Sequence, residues 1–337
     1  MTVKTEAQIM ENWKRDQPSL VSVICLTYNQ EHYINDAIKS FLTQETNFPF
    51  EIIIQDDAST DGTAEIIRNY VKKYPNIIKP VFQKENQFSQ KNKDVLVTAV
   101  SYANSEYLAY CEGDDYWTDP KKLQVQISEM QKHPNCSISF HPILRIFPHK
   151  KKRMRIIAQH ANLNKKFNTK ELILGGSSFC PSPSFVFRAS LFKLLPKWFF
   201  DVPIGDYFLQ ILASLNDGAL YINRVMAVYR VNSIGSWSER MSKDENYAYN
   251  YFSKMLISLD AIDSHTNKKY TKEFNIIRKK LGYIMCINPI FSAEKRKRIY
   301  MENRARFGFK RKVLWYLVFR NQKLSALVFN ARNYFFN

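Results

Sequence analysis

The sequence predicts an α/β fold in which a mixed, mostly parallel sheet is flanked by helices. Between residues 21 and 140, short runs rich in β-branched residues alternate with segments of helical periodicity, which is typical of βαβ units. The chain of 337 residues is long enough to bury a sizeable core. Its 45% hydrophobic and 24% charged residues exclude a disordered or fibrous protein.

The predicted strands and helices alternate along this region. Strands are predicted at 21–26, 50–55, 77–82 and 107–111. Helices are predicted at 32–44, 62–74, 93–104 and 120–133. The last of these helices is expected to begin at Pro120, because proline is favoured at the first helical position.

After residue 136 the pattern is less regular and then becomes helical. We expect strand-like segments at 136–147 and 219–231, a helix at 206–215, and helices from 243 onward, where apolar residues recur at helical spacing. A boundary near residue 240 would divide the chain into an α/β domain, 1–240, and a helical, basic C-terminal extension, 241–337.

The cysteines and the N-terminal segment predict a cytoplasmic protein. The five cysteines are odd in number and far apart, so we expect reduced thiols. The first 20 residues contain no continuous apolar stretch of the kind that a signal peptide needs. The longest apolar run, 313–319, is much shorter than the roughly 20 residues that span a bilayer.

Polar turns follow two of the predicted strands. The first strand runs into Thr27-Tyr28-Asn29, and the second runs into Asp56 and Asp57. Ligands of open parallel sheets bind beyond the carboxyl ends of the strands. Adjacent carboxylates repel each other unless a donor is close, and a ligand N–H or a metal could supply it. The Tyr28 ring could stack on a base, or it could be a half-buried core residue.

A third turn carries three carboxylates within four residues. The fourth predicted strand is followed by Glu112-Gly113-Asp114-Asp115. Crowded carboxylates are costly without a counter-charge, and Mg²⁺ or Mn²⁺, which prefer oxygen ligands, would provide one and hold a diphosphate. The alternative is a solvated acidic turn before the helix at Pro120.

Together these segments resemble family 2 glycosyltransferases, which have the GT-A fold. The resemblance rests on 21–29, 52–63 and 106–115, in this order and at the family's spacing, and covers residues 20–235. It implies inverting transfer of a hexosyl or N-acetylhexosaminyl group from a nucleotide diphosphate sugar, UDP-linked, to a hydroxyl group. The implied acceptor is a glycan or a lipid-linked sugar in bacterial surface polysaccharide synthesis.

The resemblance also implies roles for individual residues. Thr27-Tyr28-Asn29 and Asp57 would hold the nucleotide, with Asp57 accepting from a uracil-like N–H. Asp114 would contact the donor ribose or sugar, and Asp115 would bind the divalent cation, Mn²⁺ or Mg²⁺. Because the motif reads Glu-Gly-Asp-Asp rather than a strict Asp-X-Asp, the division of work among these acids stays open.

The resemblance places a general base at the start of a later helix. Inverting transfer requires a base that removes the proton of the acceptor hydroxyl. Asp206 matches the family's position for this acid, and its alternative role is to cap the helix that follows. Arg230 lies in a segment, 229–236, that resembles the family's closing segment near the diphosphate, and a structural role for it is equally open.

The C-terminal segment is strongly basic. Residues 294–337 contain twelve Lys or Arg and two Glu, a net charge of +10 out of +18 for the whole chain. Basic side chains beside aromatic-rich helices suit an anionic membrane surface, so the protein could lie peripherally at the inner face of the cytoplasmic membrane. The alternative is a packed helical subdomain with a solvated basic face.

Two other classes of function stay open. A non-catalytic nucleotide-sugar binder is disfavoured because Asp115 and Asp206 are both present. A basic nucleic-acid-binding protein would explain the net charge of +18, but no recognised binding motif accompanies that charge. We therefore expect no nucleic-acid partner.

Overall fold

The fold was analysed in a computed structural model. It describes residues 3–14, 17–88, 95–147, 154–231, 233, 237–319 and 327–328. The strands of these residues, in chain order, are β1 (Val21–Thr27), β2 (Phe50–Asp56), β3 (Ile78–Phe82), β4 (Tyr107–Tyr110), β5 (Tyr116–Trp117), β6 (Ile138–Phe140), β7 (Ile143–Ile146), β8 (Met154–Ile157), β9 (Lys165–Phe167), β10 (Val186–Arg188), β11 (Ala219–Tyr221) and β12 (Ala227–Arg230).

Helices account for most of the remaining described residues. They are α1 (Glu6–Met10), α2 (Ile34–Leu42), α3 (Thr63–Lys73), α4 (Val95–Ser101), α5 (Lys122–Lys132), α6 (Thr169–Gly175), α7 (Gly205–Ser214), α8 (Trp237–Lys243), α9 (Glu245–His265), α10 (Thr271–Ile287), α11 (Ala293–Asn303) and α12 (Phe309–Phe319).

The strands form a large and a small sheet. The large sheet has the order β3-β2-β1-β4-β10-β6-β11-β9, and the small sheet has the order β5-β12-β7-β8. Strands β3, β2, β1 and β4 are parallel, whereas β10 is antiparallel to β4 and to β6. The predicted mixed sheet, parallel in its first strands, is confirmed.

Alternate side chains of the central strands face two helical layers. On one side of the sheet, Val21, Val23 and Cys25 of β1 pack with apolar residues of α2, α3 and α5. On the other side, Ile24 packs with Ile53, Leu108 and residues of α4. The central strands are therefore buried on both faces, which is why they appear in the sequence as continuous apolar runs. All five cysteines are buried and free, as expected.

Differences between the predicted elements and the structure include two divided strands and a later helix start. The segment 136–147 breaks at His141 and Pro142 into β6 and β7, which lie in different sheets. The segment 219–231 likewise divides into β11 and β12. Helix α5 begins at Lys122 rather than at Pro120, because the Asp119 carboxylate accepts from the main-chain N–H of Lys121 and holds residues 119–121 in a turn.

The C-terminal helices pack on the sheet domain. Met255 and Leu259 of α9 share a hydrophobic cluster with Phe208 and Ile211 of α7. A second cluster joins α9 and α10 to α11 and α12, and Trp315 is among its buried members. The expected helical extension is present in the described residues, and the boundary near residue 240 stays a prediction.

Candidate active site

The three polar turns lie side by side at one edge of the large sheet. Strand β1 is parallel to both β2 and β4, so the turns that follow all three strands meet at the same edge. This is the edge at which ligands of open parallel sheets bind. The sequence placed a polar turn after each of these strands, and the parallel pairing brings the three turns to one edge.

The turn after β1 is fastened to the turn after β2. The Thr27 hydroxyl group donates to the side-chain oxygen of Gln30 (2.8 Å). Asn29 has a positive φ of 52°, and its side-chain oxygen accepts from the main-chain N–H of Thr60 (2.8 Å). Tyr28 between them is 43% exposed, which leaves its ring accessible to a planar partner. The structure thus gives Asn29 a role in holding the two turns together.

Asp57 is buried, and the donors that its carboxylate needs come from the chain itself. One oxygen accepts from the main-chain N–H of Gln87 (2.8 Å) and the other from that of Phe88 (3.1 Å). The neighbouring Asp56 accepts from the main-chain N–H and the hydroxyl group of Ser59. The sequence offered a ligand N–H or a metal as a possible donor, and in the structure these main-chain N–H groups donate to Asp57. A contact from Asp57 to a base stays a prediction.

The turn after β4 forms a compact carboxylate cluster. One oxygen from each of Glu112, Asp114 and Asp115 can be chosen so that all lie within 4.8 Å of one another. Asp115 is fully buried, and its Oδ1 accepts from the main-chain N–H of Arg230 (2.8 Å). Its Oδ2 is buried without a hydrogen-bond partner among the described residues. Since an unpartnered buried carboxylate oxygen is costly, this cluster fits a divalent cation.

The raised pKa values of the clustered carboxyl groups also indicate a cation site. Burial raises the pKa of Asp115 well above its ordinary value, and the nearby Asp114 adds to this effect. Burial also raises the pKa of Asp114, although hydrogen bonds from Ser233 and Gln30 oppose the shift. Charged carboxylates are therefore unfavourable in the metal-free site. A cation bound among them would restore their ordinary ionised state.

Gly113 allows the acidic turn to approach the end of β1. A Cβ atom at this position would lie 2.4 Å from Oε1 of Gln30 and 2.9 Å from Oγ1 of Thr27. Any larger residue would displace the hydrogen bond between these two side chains. The glycine in the motif is thus explained by close packing of two neighbouring turns.

The sequence left the role of Arg230 open. In the structure it lies in β12 of the small sheet and donates hydrogen bonds to the acidic turn. Its guanidinium group donates to the main-chain carbonyl of Asp114 (2.8 Å) and to Asp36 of α2 (2.5 Å). The same group lies 4.5 Å from the ring centroid of Tyr116 and 5.3 Å from that of Tyr33. Because Arg230 contacts the turn with both its main chain and its side chain, we interpret it as a positioning residue.

Asp206 lies in the first turn of α7, close to the acidic cluster. The helix begins at Gly205 and its N-cap is Ile204, which makes no side-chain capping bond. The alternative role of Asp206 as the N-cap is therefore wrong. Burial raises its pKa, and its charge is close enough to contribute to the raised pKa of Glu112. A half-buried carboxylate that has a raised pKa and no N-cap role is suited to accept a proton.

Glu112 connects the cluster to Asp206. Its carboxylate accepts from the hydroxyl group of Tyr110 (2.9 Å). Burial, together with the charges of Asp114 and Asp206, raises the pKa of Glu112 from 4.5 to about 8. Tyr110 was not among the residues predicted from the sequence. It lies within a strand, and no motif distinguishes it from an ordinary core tyrosine.

The raised pKa of Glu112 predicts a pH-dependent stability of the metal-free protein. The native state keeps a proton that the unfolded chain releases above pH 4.5, so the stability contributed by this group is lost as pH rises towards about 8. We expect Glu112→Gln to leave the free energy of unfolding nearly unchanged at pH 5 and to raise it by about 1–2 kcal/mol at pH 9. Urea unfolding in the presence of EDTA measures this difference.

The exposed Glu65 of α3 offers a matched control. Glu65→Gln should change stability little, and equally, at both pH values. A stability gain of Glu112→Gln that is the same at pH 5 and pH 9 would contradict the raised pKa.

Comparisons with known proteins identify the family of the chain. The profile of Glycosyl transferase family 2 matches residues 22–195. An uncharacterized protein of Mycobacterium tuberculosis is 33% identical over 258 residues, covering 74% of this chain and 70% of that protein. WfgD of Escherichia coli, a UDP-Glc:alpha-D-GlcNAc-diphosphoundecaprenol beta-1,3-glucosyltransferase, is 32% identical over 121 residues, covering 36% of this chain and 44% of that enzyme.

A solved structure shares the fold at low sequence identity. TarS of S. aureus (residues 1–349), in complex with UDP-GlcNAc, superimposes with a TM-score of 0.56 at 18% identity, covering 76% of this chain and 71% of the TarS chain. The family profile covers more than half of the 337 residues, including the three polar turns. The chain therefore belongs to glycosyl transferase family 2 and is a glycosyltransferase with the GT-A fold.

Proposed function

We propose that the protein transfers a hexosyl or N-acetylhexosaminyl group from a UDP-sugar, with inversion, to a hydroxyl group of a lipid-linked or glycan acceptor in bacterial surface polysaccharide synthesis. The observation that carries the proposal is the position of the Asp206 carboxylate. It is close enough to the cluster formed by Glu112, Asp114 and Asp115 to contribute to the raised pKa of Glu112. In this proposal the base would take the proton of the acceptor hydroxyl, and a cation held by the cluster would stabilise the leaving diphosphate.

The donor would lie across the three turns. We assign the uracil base to the exposed ring of Tyr28 and to the remaining acceptor capacity of Asp57, and the ribose to Asp114. The turn 27–29, which includes Thr27 and Asn29, would form the floor below the nucleoside. WfgD uses a UDP-sugar and a diphosphoundecaprenol-linked acceptor, and this similarity supports the same donor and acceptor classes here.

The cation would be Mn²⁺ or Mg²⁺, with Asp115 as its principal ligand. The partnerless Oδ2 of Asp115 and the oxygen-only character of the cluster support this assignment. A bound cation would neutralise the charge of the leaving diphosphate. Arg230 and Gly113 keep the turn in place, so the ligand oxygens are held in position before the donor arrives.

Asp206 would act as the general base. As the acceptor oxygen forms its bond to the anomeric carbon, the bond from that carbon to the diphosphate oxygen breaks on the opposite face, and the hydroxyl proton passes to Asp206. Because its pKa is raised, the Asp206 carboxylate is a stronger base than an exposed aspartate. A general base works best when its pKa is near the working pH.

The acceptor class suggests a peripheral location at the inner face of the cytoplasmic membrane. None of the helices in the described part of the chain has the length and the apolar character needed to span a bilayer. We propose that the chain meets its acceptor from the cytoplasmic side, with the basic segment 294–337 at the lipid surface.

A panel of nucleotides and nucleotide sugars tests the proposed donor. Thermal unfolding is measured with UDP, GDP and their sugars, each with Mn²⁺ and with EDTA. Ligands that bind the native state raise the unfolding temperature, so UDP-sugars with Mn²⁺ should give the largest shifts. A shift with GDP-sugars alone would change the donor assignment. The absence of any shift with all donors, or of any release of UDP with time, would contradict the proposed activity.

A further inference from the structure

Helix α12 exposes an apolar stripe to solvent. Its side chains keep large exposed fractions, 82% for Phe309, 43% for Val313, 54% for Tyr316 and 55% for Leu317. These positions are four, three and one residues apart, so they lie on one side of the helix. Exposed apolar residues scattered singly need no explanation, but a continuous stripe marks an interaction surface.

The opposite side of α12 fixes the helix on the protein. Trp315 is buried, and its ring stacks on that of Tyr300 in α11 at a centroid distance of 3.6 Å with an interplanar angle of 5°. Phe319 stacks on Trp315 in turn (4.8 Å). The helix therefore has two apolar sides, of which one packs in the core of the extension and the other faces solvent.

Lysines border the exposed stripe on both sides. Lys310 and Lys312 are exposed and, at 100° per residue, project from opposite margins of the stripe. An apolar stripe flanked by basic residues is the arrangement of helices that lie in the plane of a membrane interface.

We propose that the exposed side of α12 docks on an anionic lipid bilayer. Phe309, Val313 and Leu317 would enter the boundary between headgroups and acyl chains, while Lys310 and Lys312 contact lipid phosphates. The net charge of +10 in residues 294–337 favours this partner over a second copy of the chain, because a symmetric dimer through α12 would bring like charges together. The proposal rests on the peripheral location proposed above and names the surface that would make the contact, and none of its residues belongs to the proposed donor site.

Vesicle co-sedimentation of the full-length protein tests the docking surface. Vesicles of phosphatidylcholine containing phosphatidylglycerol are compared with vesicles of phosphatidylcholine alone, at low and at high salt. We expect binding to the anionic vesicles that weakens with salt. The combined variant Phe309→Gln, Val313→Gln and Leu317→Gln should bind about tenfold or more weakly.

Two further variants make the test specific. Ile257→Gln combined with Ile276→Gln removes exposed apolar residues from α9 and α10 and should bind like the wild type. Lys310→Gln combined with Lys312→Gln alters only exposed charges, so it should fold normally and still bind about tenfold or more weakly to anionic vesicles. This second variant keeps the test valid if the apolar variant unfolds.

The outcomes separate the two proposals. If the wild type fails to bind anionic vesicles at low salt, or if both α12 variants bind normally, the docking surface is wrong. A dimer in light scattering that the apolar variant dissociates, without vesicle binding, would assign the stripe to a second copy and overturn the lipid proposal. UDP release from a soluble donor is measured in parallel, and its absence would count against the proposed activity alone.

Discussion

Asp115→Asn is expected to abolish cation-dependent nucleotide binding while leaving the fold intact. The asparagine oxygen can still accept from the main-chain N–H of Arg230, so the contact that holds the turn is kept. The substitution removes the charge of a fully buried carboxylate whose Oδ2 has no partner among the described residues. Calorimetric titration with UDP and Mn²⁺ should show an affinity lower by roughly two orders of magnitude or more.

The control is a surface aspartate far from the turns. Asp260→Asn, at an exposed position of α9, should bind UDP and Mn²⁺ like the wild type. The metal-free stability of Asp115→Asn should be equal to or greater than that of the wild type, since a buried charge has been removed. Full-affinity binding by Asp115→Asn, or equal binding by the wild type in EDTA, would contradict the assignment of Asp115 as the cation ligand.

Asp206→Asn is expected to lower turnover by roughly 10²–10⁴ with little change in donor affinity or stability. Because Ile204 rather than Asp206 is the N-cap of α7, the substitution removes no capping bond. Burial raises the pKa of Asp206, so the wild-type rate should fall on the acidic side at a higher pH than for an exposed aspartate. The measurement is initial rate against pH with a fixed donor and acceptor.

Asp201→Asn provides the comparison for this variant. Asp201 is exposed and lies five residues before Asp206, so its substitution should leave the rate profile unchanged. Near-normal turnover by Asp206→Asn would remove it from the role of base. Glu112, which lies close to Asp206 and has a pKa raised to about 8, would then be the next carboxylate to test.

The central strands and their turns could be predicted from the sequence because both depend on local patterns. Strands β1 and β2 are buried on both faces, and their runs of β-branched residues are typical of such strands. Parallel pairing then places the ends of β1, β2 and β4 at one edge, so the turns that carry the acids at 56–57 and 112–115 lie on either side of the turn after β1.

The remaining parts of the site depend on contacts between distant residues, which no local pattern encodes. The donors to Asp57 are the main-chain N–H groups of Gln87 and Phe88. Almost every residue has a main-chain N–H group, so the residue types do not indicate this contact. The break of 136–147 into two sheets depends on strand partners distant in sequence, since β6 pairs with β10 and β11 whereas β7 pairs with β12. Arg230 was recognised only as a basic residue in a segment of the right type, and its contacts with Asp36 and Asp114 require the folded chain.

The acidic turn is completed by hydrogen bonds from Arg230, which is synthesised much later than the turn. This order affects when a newly made chain can form its proposed cation site. Arg230 follows Asp115 by 115 positions, so the turn lacks the contacts of Arg230 until β12 has left the ribosome. At about 5–20 residues per second, translation places this event on the order of 10 s after the turn itself is made. The four parallel strands all precede the turn in the chain, so the emerging polypeptide can pair them before it has the contacts that complete a pocket for a cation.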